Sequence, residues 1–198
     1  MKHTKKNFPP AEWPTTEQLE AELAHEKYKH QYIRTFYSTV CALITVAAAV
    51  ILLATMLMPV LKIYGTSMEP TLKAGDILFS VKTTDLKSGD IVAFYYNNKI
   101  LVKRVIAEAG DWVDIDTAGT VYVNGEPLDE PYLTEKALGD CNITLPYQVP
   151  DSKIFVMGDH RTTSEDSRNT SIGCIAEEAI VGKIVFRVWP LTKIGPVR

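Results

Sequence analysis

Between residues 35 and 61 the chain carries no charged side chain. Val, Ile, Leu, Ala and Met dominate this run, most densely from residue 40 onward. At about 1.5 Å of rise per residue, roughly 20 apolar residues in a helix cross the hydrocarbon core of a bilayer. The run is long enough to do so with some tilt. Tyr32, Phe36 and Tyr37 stand at its near end, where aromatic rings favour the membrane interface, and Arg34 and Lys62 bracket it. Pro59 loosens the last turn. A cleaved signal peptide has a shorter apolar core closer to the chain start. A buried helix of a soluble domain is seldom apolar on all sides over this length. The expected element is therefore one transmembrane helix, residues 35–61. Lys2, Lys5, Lys6, Lys27, Lys29 and Arg34 precede it, and Lys62, Lys73 and Lys82 follow it. The bias leans toward a cytoplasmic N-terminus.

Three organisational parts follow from this: a segment 1–34, the span 35–61, and a domain 62–198. Residues 1–14 are polar and hold Pro9, Pro10 and Pro14, a composition that favours disorder. Thr16 suits the N-cap of a helix that runs toward the span. After Lys62 the pattern changes to short apolar-alternating runs between turn residues. Strands are expected over 77–81, 91–96, 100–109, 112–115, 120–123, 149–158 and 180–188, with a short helical turn at 177–179. Asn97-Asn98 and Asn124-Gly125 suit hairpin turns. Lys73-Ala74-Gly75-Asp76-Ile77 and Lys87-Ser88-Gly89-Asp90-Ile91 read as two similar turns, each leading into a strand. The fold class is mostly β, preceded by one helix.

The net charge is -3, which gives no electrostatic footprint for nucleic acid. Of three cysteines, Cys41 lies in the apolar run, and spacing leaves open whether Cys141 and Cys174 pair. No His/Cys cluster has zinc spacing, and the acidic residues near Asp159 lack the spacing of a calcium loop. No metal and no cofactor are expected.

Two segments bear chemistry. Ser67 lies in Gly65-Thr66-Ser67-Met68-Glu69-Pro70-Thr71-Leu72, where Gly65 permits unusual backbone angles and close approach of a substrate. Serine is a poor nucleophile until a base takes its proton. Of four histidines, His3, His25 and His30 precede the span, which leaves His160 alone on the side of Ser67. Lys103 offers a base of another kind. Strand alternation puts Leu101, Lys103 and Val105 on one face, and Val102, Arg104 and Ile106 on the other. Burial of the first face would disfavour the ammonium and lower its pKa. Arginine stays protonated, so Arg104 cannot play that part. By strand pattern alone Lys103 could equally snorkel from an edge. A third segment, Gly158-Asp159-His160-Arg161-Thr162-Thr163-Ser164-Glu165-Asp166-Ser167-Arg168, has opposite charges that can pair internally and a hydroxyl, Ser164, able to orient an amine.

Ser-Met-x-Pro-Thr-Leu, then Val-Lys-Arg-Val-Ile, then Gly-Asp-x-Arg-x-x-Ser-x-Asp-Ser-Arg, in this order behind an N-terminal span, resembles bacterial type I signal peptidase of the Gram-positive kind. The resemblance runs from about residue 40 to the C-terminus. It implies a β fold of the signal-peptidase and LexA type outside the membrane. It implies a membrane-bound serine endopeptidase that removes signal peptides from secreted preproteins after small residues at -1 and -3. By motif position Ser67 is the nucleophile and Lys103 the general base. Ser164 orients the lysine amine, Asp166 and Arg168 form a supporting ion pair, and Asp159 holds the core of the site. The substrate adds as a strand between residues 61–66 and 100–102, with Ile63, Met68, Leu72, Leu101 and Val102 shaping small apolar pockets. The implied partners are preprotein signal peptides and the bilayer, with no nucleic acid, and the implied state is a monomer in the cell membrane with its catalytic domain outside. Gly65 stands where some relatives carry an oxyanion-binding hydroxyl. Ala107-Glu108-Ala109-Gly110-Asp111 departs from the usual Gly-x-Pro-Gly-Asp, and His160 replaces a common asparagine. A self-cleaving LexA-like protein and a pilin-specific peptidase or pilus-assembly accessory are the alternatives.

Overall fold

The computed structural model describes residues 15–57 and 59–197. The expectation of disorder for residues 1–14 lies outside them. One helix, α1 (Thr16–Leu57), has 42 residues, about 63 Å at 1.5 Å per residue. Its cap sits one residue earlier than expected. Gln18 N donates to Thr15 Oγ1 at 3.4 Å, and Thr15 N donates to Gln18 Oε1 at 3.1 Å. This reciprocal pair is a capping box, so Thr16 is already helical. Within the apolar run the Thr39 and Thr45 hydroxyls donate to the carbonyls of Thr35 and Cys41, four residues back. That satisfies their polarity without a partner from elsewhere. Leu43, Ile44, Val46, Val50, Ile51, Leu52 and Leu53 are exposed, and the helix is long and apolar enough to cross a membrane. It ends at Leu57, short of the expected residue 61. Pro59 has no N–H to offer a helix, and Val60 and Leu61 join a strand instead.

The second compact unit is built of strands: β1 (Val60–Lys62), β2 (Ile77–Val81), β3 (Ile91–Tyr96), β4 (Lys99–Ala107), β5 (Trp112–Ile115), β6 (Val121–Val123), β7 (Glu126–Pro127), β8 (Tyr147–Gln148), β9 (Lys153–Met157), β10 (Ile175–Ala176), β11 (Ile180–Trp189) and β12 (Gly195–Pro196). The main sheet runs β1-β2-β11-β3-β4-β9-β10, with β12 paired to β11, and a smaller sheet runs β7-β6-β5-β8. The expected 3-10 turn forms at Glu177–Ala179. β9 starts at Lys153 rather than at 149, because residues 150–153 form a turn in which Lys153 N donates to Pro150 O and Ser152 has φ 57°.

Turn chemistry sets the register. Asn97 and Asn98 have φ of 43° and 62°, and Asn124 and Gly125 have 53° and 83°. Left-handed angles at both central positions suit a two-residue hairpin. The two similar Gly-Asp phrases are indeed alike. Asp76 Oδ2 accepts from Lys73 N, and Asp90 Oδ2 accepts from Lys87 N, each across a left-handed glycine. The third instance is Glu108 to Asp111, where Asp111 Oδ2 accepts from Glu108 N across Gly110. The Ala107–Asp111 departure noted in the sequence thus keeps the same turn.

β4 threads all three core clusters. Ile106 and Ala107 enter one with Val113 and Phe155, Val102 packs on a second with Ile63 and Leu78, and Val105 and Leu101 belong to a third with Phe94 and Val156. A strand gripped on both faces makes a rigid platform for whatever it carries.

Candidate active site

Lys103 lies in the middle of β4 and is 4% exposed. Its Nζ donates to Ser164 Oγ at 2.9 Å. Burial pushes its ammonium down to about 8; Asp166 opposes the shift and Arg168 assists it. Ser164 is delivered by a turn in which Ser164 N donates to His160 O at 3.1 Å. As the acceptor of the bond from Lys103 Nζ, the Ser164 hydroxyl fixes where the amine points.

Ser67 sits in a tight turn. Glu69 N donates to Thr66 O at 3.0 Å, Leu72 N to Met68 O at 2.8 Å. The Ser67 carbonyl accepts from His160 N at 3.0 Å, which stitches this turn to the third segment. Gly158 makes the close approach possible. A Cβ there would stand 2.2 Å from Ser164 Oγ and 2.5 Å from Ser67 O. Three segments far apart in sequence therefore meet around Ser67, Lys103 and Ser164. No hydrogen bond joins the hydroxyl of Ser67 to Lys103 or to the His160 imidazole among the described residues; Ser67 and Lys103 line the same cleft. The His160 Nδ1 is buried without a partner.

Buried ion pairs hold the frame, and they are not all the pairs expected. Asp166 and Arg168 do pair, at 2.8 Å, and Asp166 Oδ2 also accepts from Gly158 N. Burial works against the Asp166 carboxylate, yet these bonds hold it below its ordinary range. Asp159 pairs outside its own segment. Arg104 Nε and Nη2 reach its two oxygens at 2.9 and 2.7 Å, and Thr71 Oγ1 donates to it as well. Arg161 pairs with Glu130, not internally, and its Nε donates to Gly158 O. The Arg104 guanidinium stacks 3.8 Å from the centre of the Tyr132 ring, and Tyr132 Oη donates to Glu130 Oε1 at 3.0 Å. Sequence reading missed Arg104, Glu130 and Tyr132 as members of this frame. The available signal was charge balance: an arginine on an apolar strand needs a carboxylate once buried, and Asp159 could pair outside its segment as well as within it.

β4 pairs with β3 over 99–104 and with β9 only from Arg104 onward. The outer edge of its first half is open. β1 is the edge strand at the far end of the main sheet. Between these edges lies a mostly apolar cleft of about 660 Å³, lined by Ile63, Met68, Leu101 and Val102 together with Gly65, Ser67 and Lys103. Leu72, expected in its wall, is fully buried one layer behind, packed in the cluster of Met68 and Ile63. Cys141 and Cys174 are free thiols.

The family model "Signal peptidase, peptidase S26" matches residues 35–189. Signal peptidase IB of Staphylococcus aureus (strain Mu50 / ATCC 700699) is 41% identical over 152 residues, covering 66% of this chain and 78% of that protein. Signal peptidase I of Bacillus licheniformis is 36% identical over 188 residues, covering 87% of this chain and 98% of that one. Among solved structures, a signal peptidase I from Enterococcus faecalis V583 aligns with 27% identity and a TM-score of 0.42, over 52% of this chain and 98% of the other. The extent of the family match and the level of identity to both relatives lead to one conclusion: the chain belongs to the bacterial type I signal peptidases of the S26 peptidase family.

Proposed function

We propose that this chain is a membrane-anchored endopeptidase that frees secreted preproteins from their signal peptides by a serine–lysine pair. The observation that carries the reading is Lys103: an amine buried on a rigid strand, lowered to about 8, held by Ser164 and opening onto the cleft of Ser67. A neutral Lys103 takes the Ser67 proton as Oγ attacks the scissile carbonyl. With no hydroxyl at Gly65, this reading assigns the developing oxyanion to the Ser67 backbone N–H. The lysine ammonium then hands its proton to the leaving amine, and an acyl-enzyme remains. Lys103 next takes a proton from water, whose oxygen attacks the acyl carbon; the bond from that carbon to Ser67 Oγ breaks, Lys103 returns the proton to Oγ, and the signal peptide leaves with a new carboxyl terminus. The missing bond between Ser67 and Lys103 is compatible with this, because such contacts are often loose before substrate binds.

The open edges of β1 and β4 suit a substrate strand that pairs with both, a form of β-strand addition. Ile63, Met68, Leu101 and Val102 would leave room for small side chains at -1 and -3. In this reading α1 spans the membrane, residues 1–34 are cytoplasmic and residues 62–198 lie outside. Trp189, Leu191 and Ile194, at 51%, 66% and 54% exposed, would meet the bilayer surface, where such residues are favoured. The test is cleavage of a preprotein with an Ala-x-Ala site by detergent-solubilised protein, beside Ser67→Ala and Lys103→Ala. Loss of cleavage in both variants with folding retained is expected. Activity surviving Lys103→Ala would overturn the base assignment and turn attention to His160.

A further inference from the structure

A second cleft, of about 420 Å³, opens from the same pair on the other side. It shares Ser67, Lys99, Leu101 and Lys103 with the apolar cleft, and its further wall adds Thr163 and Glu165 from the third segment beside Ile172. Tyr96 closes its end, its hydroxyl bonded to Ser171 O at 2.7 Å. Lys99, Leu101 and Lys103 alternate onto one face of β4, so Lys99 stands about 13 Å along the strand from Lys103. Glu165 stands close enough to act on the Lys103 charge. The wall that this cleft does not share with the first is thus acidic beside Lys103.

We infer that this second cleft receives the residues that follow the scissile bond, and that Glu165 selects against an acidic side chain at the first of them. The inference rests on the serine–lysine reading above. A peptide bond cut at Ser67 has two sides. If the signal-peptide side fills the apolar cleft, the leaving amine lies beside Lys103, which protonates it. The chain beyond that nitrogen must then run where space is open from Lys103, and the second cleft is that space. A positive or neutral first residue meets the Glu165 carboxylate favourably, while a carboxylate there meets like charge. Exposed charge pairs of this kind change rates by about two- to five-fold.

The experiment compares preproteins identical through the Ala-x-Ala site that carry Lys, Ser or Asp immediately after it. Wild type, Glu165→Gln and Glu165→Lys are assayed at a pH where Lys103 is neutral, so that any change in its pKa leaves the comparison unaffected. Glu165 is exposed, so neither variant threatens the fold. Expected is a Lys-over-Asp preference in kcat/KM of about two- to five-fold in wild type, close to one in Glu165→Gln and inverted in Glu165→Lys, all weakened by salt. A preference unchanged by both variants, or none in wild type, overturns the inference while leaving the serine–lysine reading standing. Failure of wild type to cut any of these substrates overturns the parent reading and this one with it.

Discussion

Replacing Lys103 by Met tests the buried amine from two directions with one number. Burial lowers the Lys103 ammonium from 10.5 to about 8. That shift corresponds to about 3 kcal/mol of lost preference for the charged form. At pH 7 a lysine of pKa about 8 is neutral roughly a tenth of the time, against roughly one part in 3000 at 10.5, so burial supplies about 300-fold more usable base. The wild-type kcat/KM should therefore rise about tenfold per pH unit below 8 and level off above it. The same burial is a burden on the fold. The folded-state pKa lies below the unfolded value, so unfolding takes up a proton between about pH 8 and 10.5. The stability of wild type is reduced by about 3 kcal/mol below pH 8 and recovers as pH rises through that window. Lys103→Met fills similar volume without charge. It should be inactive yet more stable than wild type at pH 7, with the gain fading toward pH 10.5. The assays are a pH–rate profile on an Ala-x-Ala preprotein and melting temperatures of both proteins across the same pH range. A flat rate profile from pH 6 to 9, a midpoint near the ordinary histidine value of about 6.5, or a Lys103→Met protein less stable than wild type at pH 7 would refute the reasoning.

Other substitutions probe the frame. Gly158→Ala drives a methyl between Ser164 Oγ and the Ser67 carbonyl and should lower kcat/KM by about 100-fold with the circular dichroism spectrum retained. Asp159→Asn leaves the Arg104 guanidinium buried without its carboxylate and should destabilise by about 3–5 kcal/mol in denaturant titrations. Tyr132→Phe keeps the ring over Arg104 and loses only the bond to Glu130, about 1 kcal/mol; Tyr132→Leu loses the stacking too and should melt lower still. The Asp166 carboxylate is held below its usual range, so it contributes stability above about pH 4 that disappears as pH falls through its lowered value. Asp166→Asn should flatten that acid limb of the melting curve.

What could be read from the sequence was what is local or periodic. The apolar run announced α1, and alternation put Lys103 on a face with Leu101 and Val105, which is how it packs. The Asn97-Asn98 turn and the Gly-Asp turns carried their own backbone chemistry. What could not be read depends on distant partners. Asp159 and Arg104 are far apart in sequence, as are Arg161 and Glu130, and no spacing rule links them. β7, β8, β10 and β12 have two residues each, too few to show a period. Leu72 sits one layer behind the cleft, in the core cluster of Met68 and Ile63, a placement that depends on partners the local sequence does not name. The helix boundary at Leu57 turned on Pro59, whose effect was assigned to the last turn instead of to the residues after it.

Lys103 and Arg104 show why the site needs both kinds of cation. They are neighbours on one strand and almost equally buried, at 4% and 2% exposed. Alternation sends them to opposite faces. Arginine cannot shed its proton, so burial must be answered with a carboxylate, and Asp159 meets it with two hydrogen bonds. Among the described residues Lys103 has no such ion pair, only a hydroxyl at 2.9 Å. The same desolvation that demands a partner for Arg104 therefore drives Lys103 toward neutrality. The Asp166 carboxylate, which would otherwise restore the lysine charge, is occupied by Arg168 and Gly158 N. The buried charges around the site, Arg104, Asp159, Asp166 and Arg168, are each paired, whereas among the described residues the buried Lys103 amine is not. The cleft side of Lys103 stays open toward Ser67, with which it lines the same cleft.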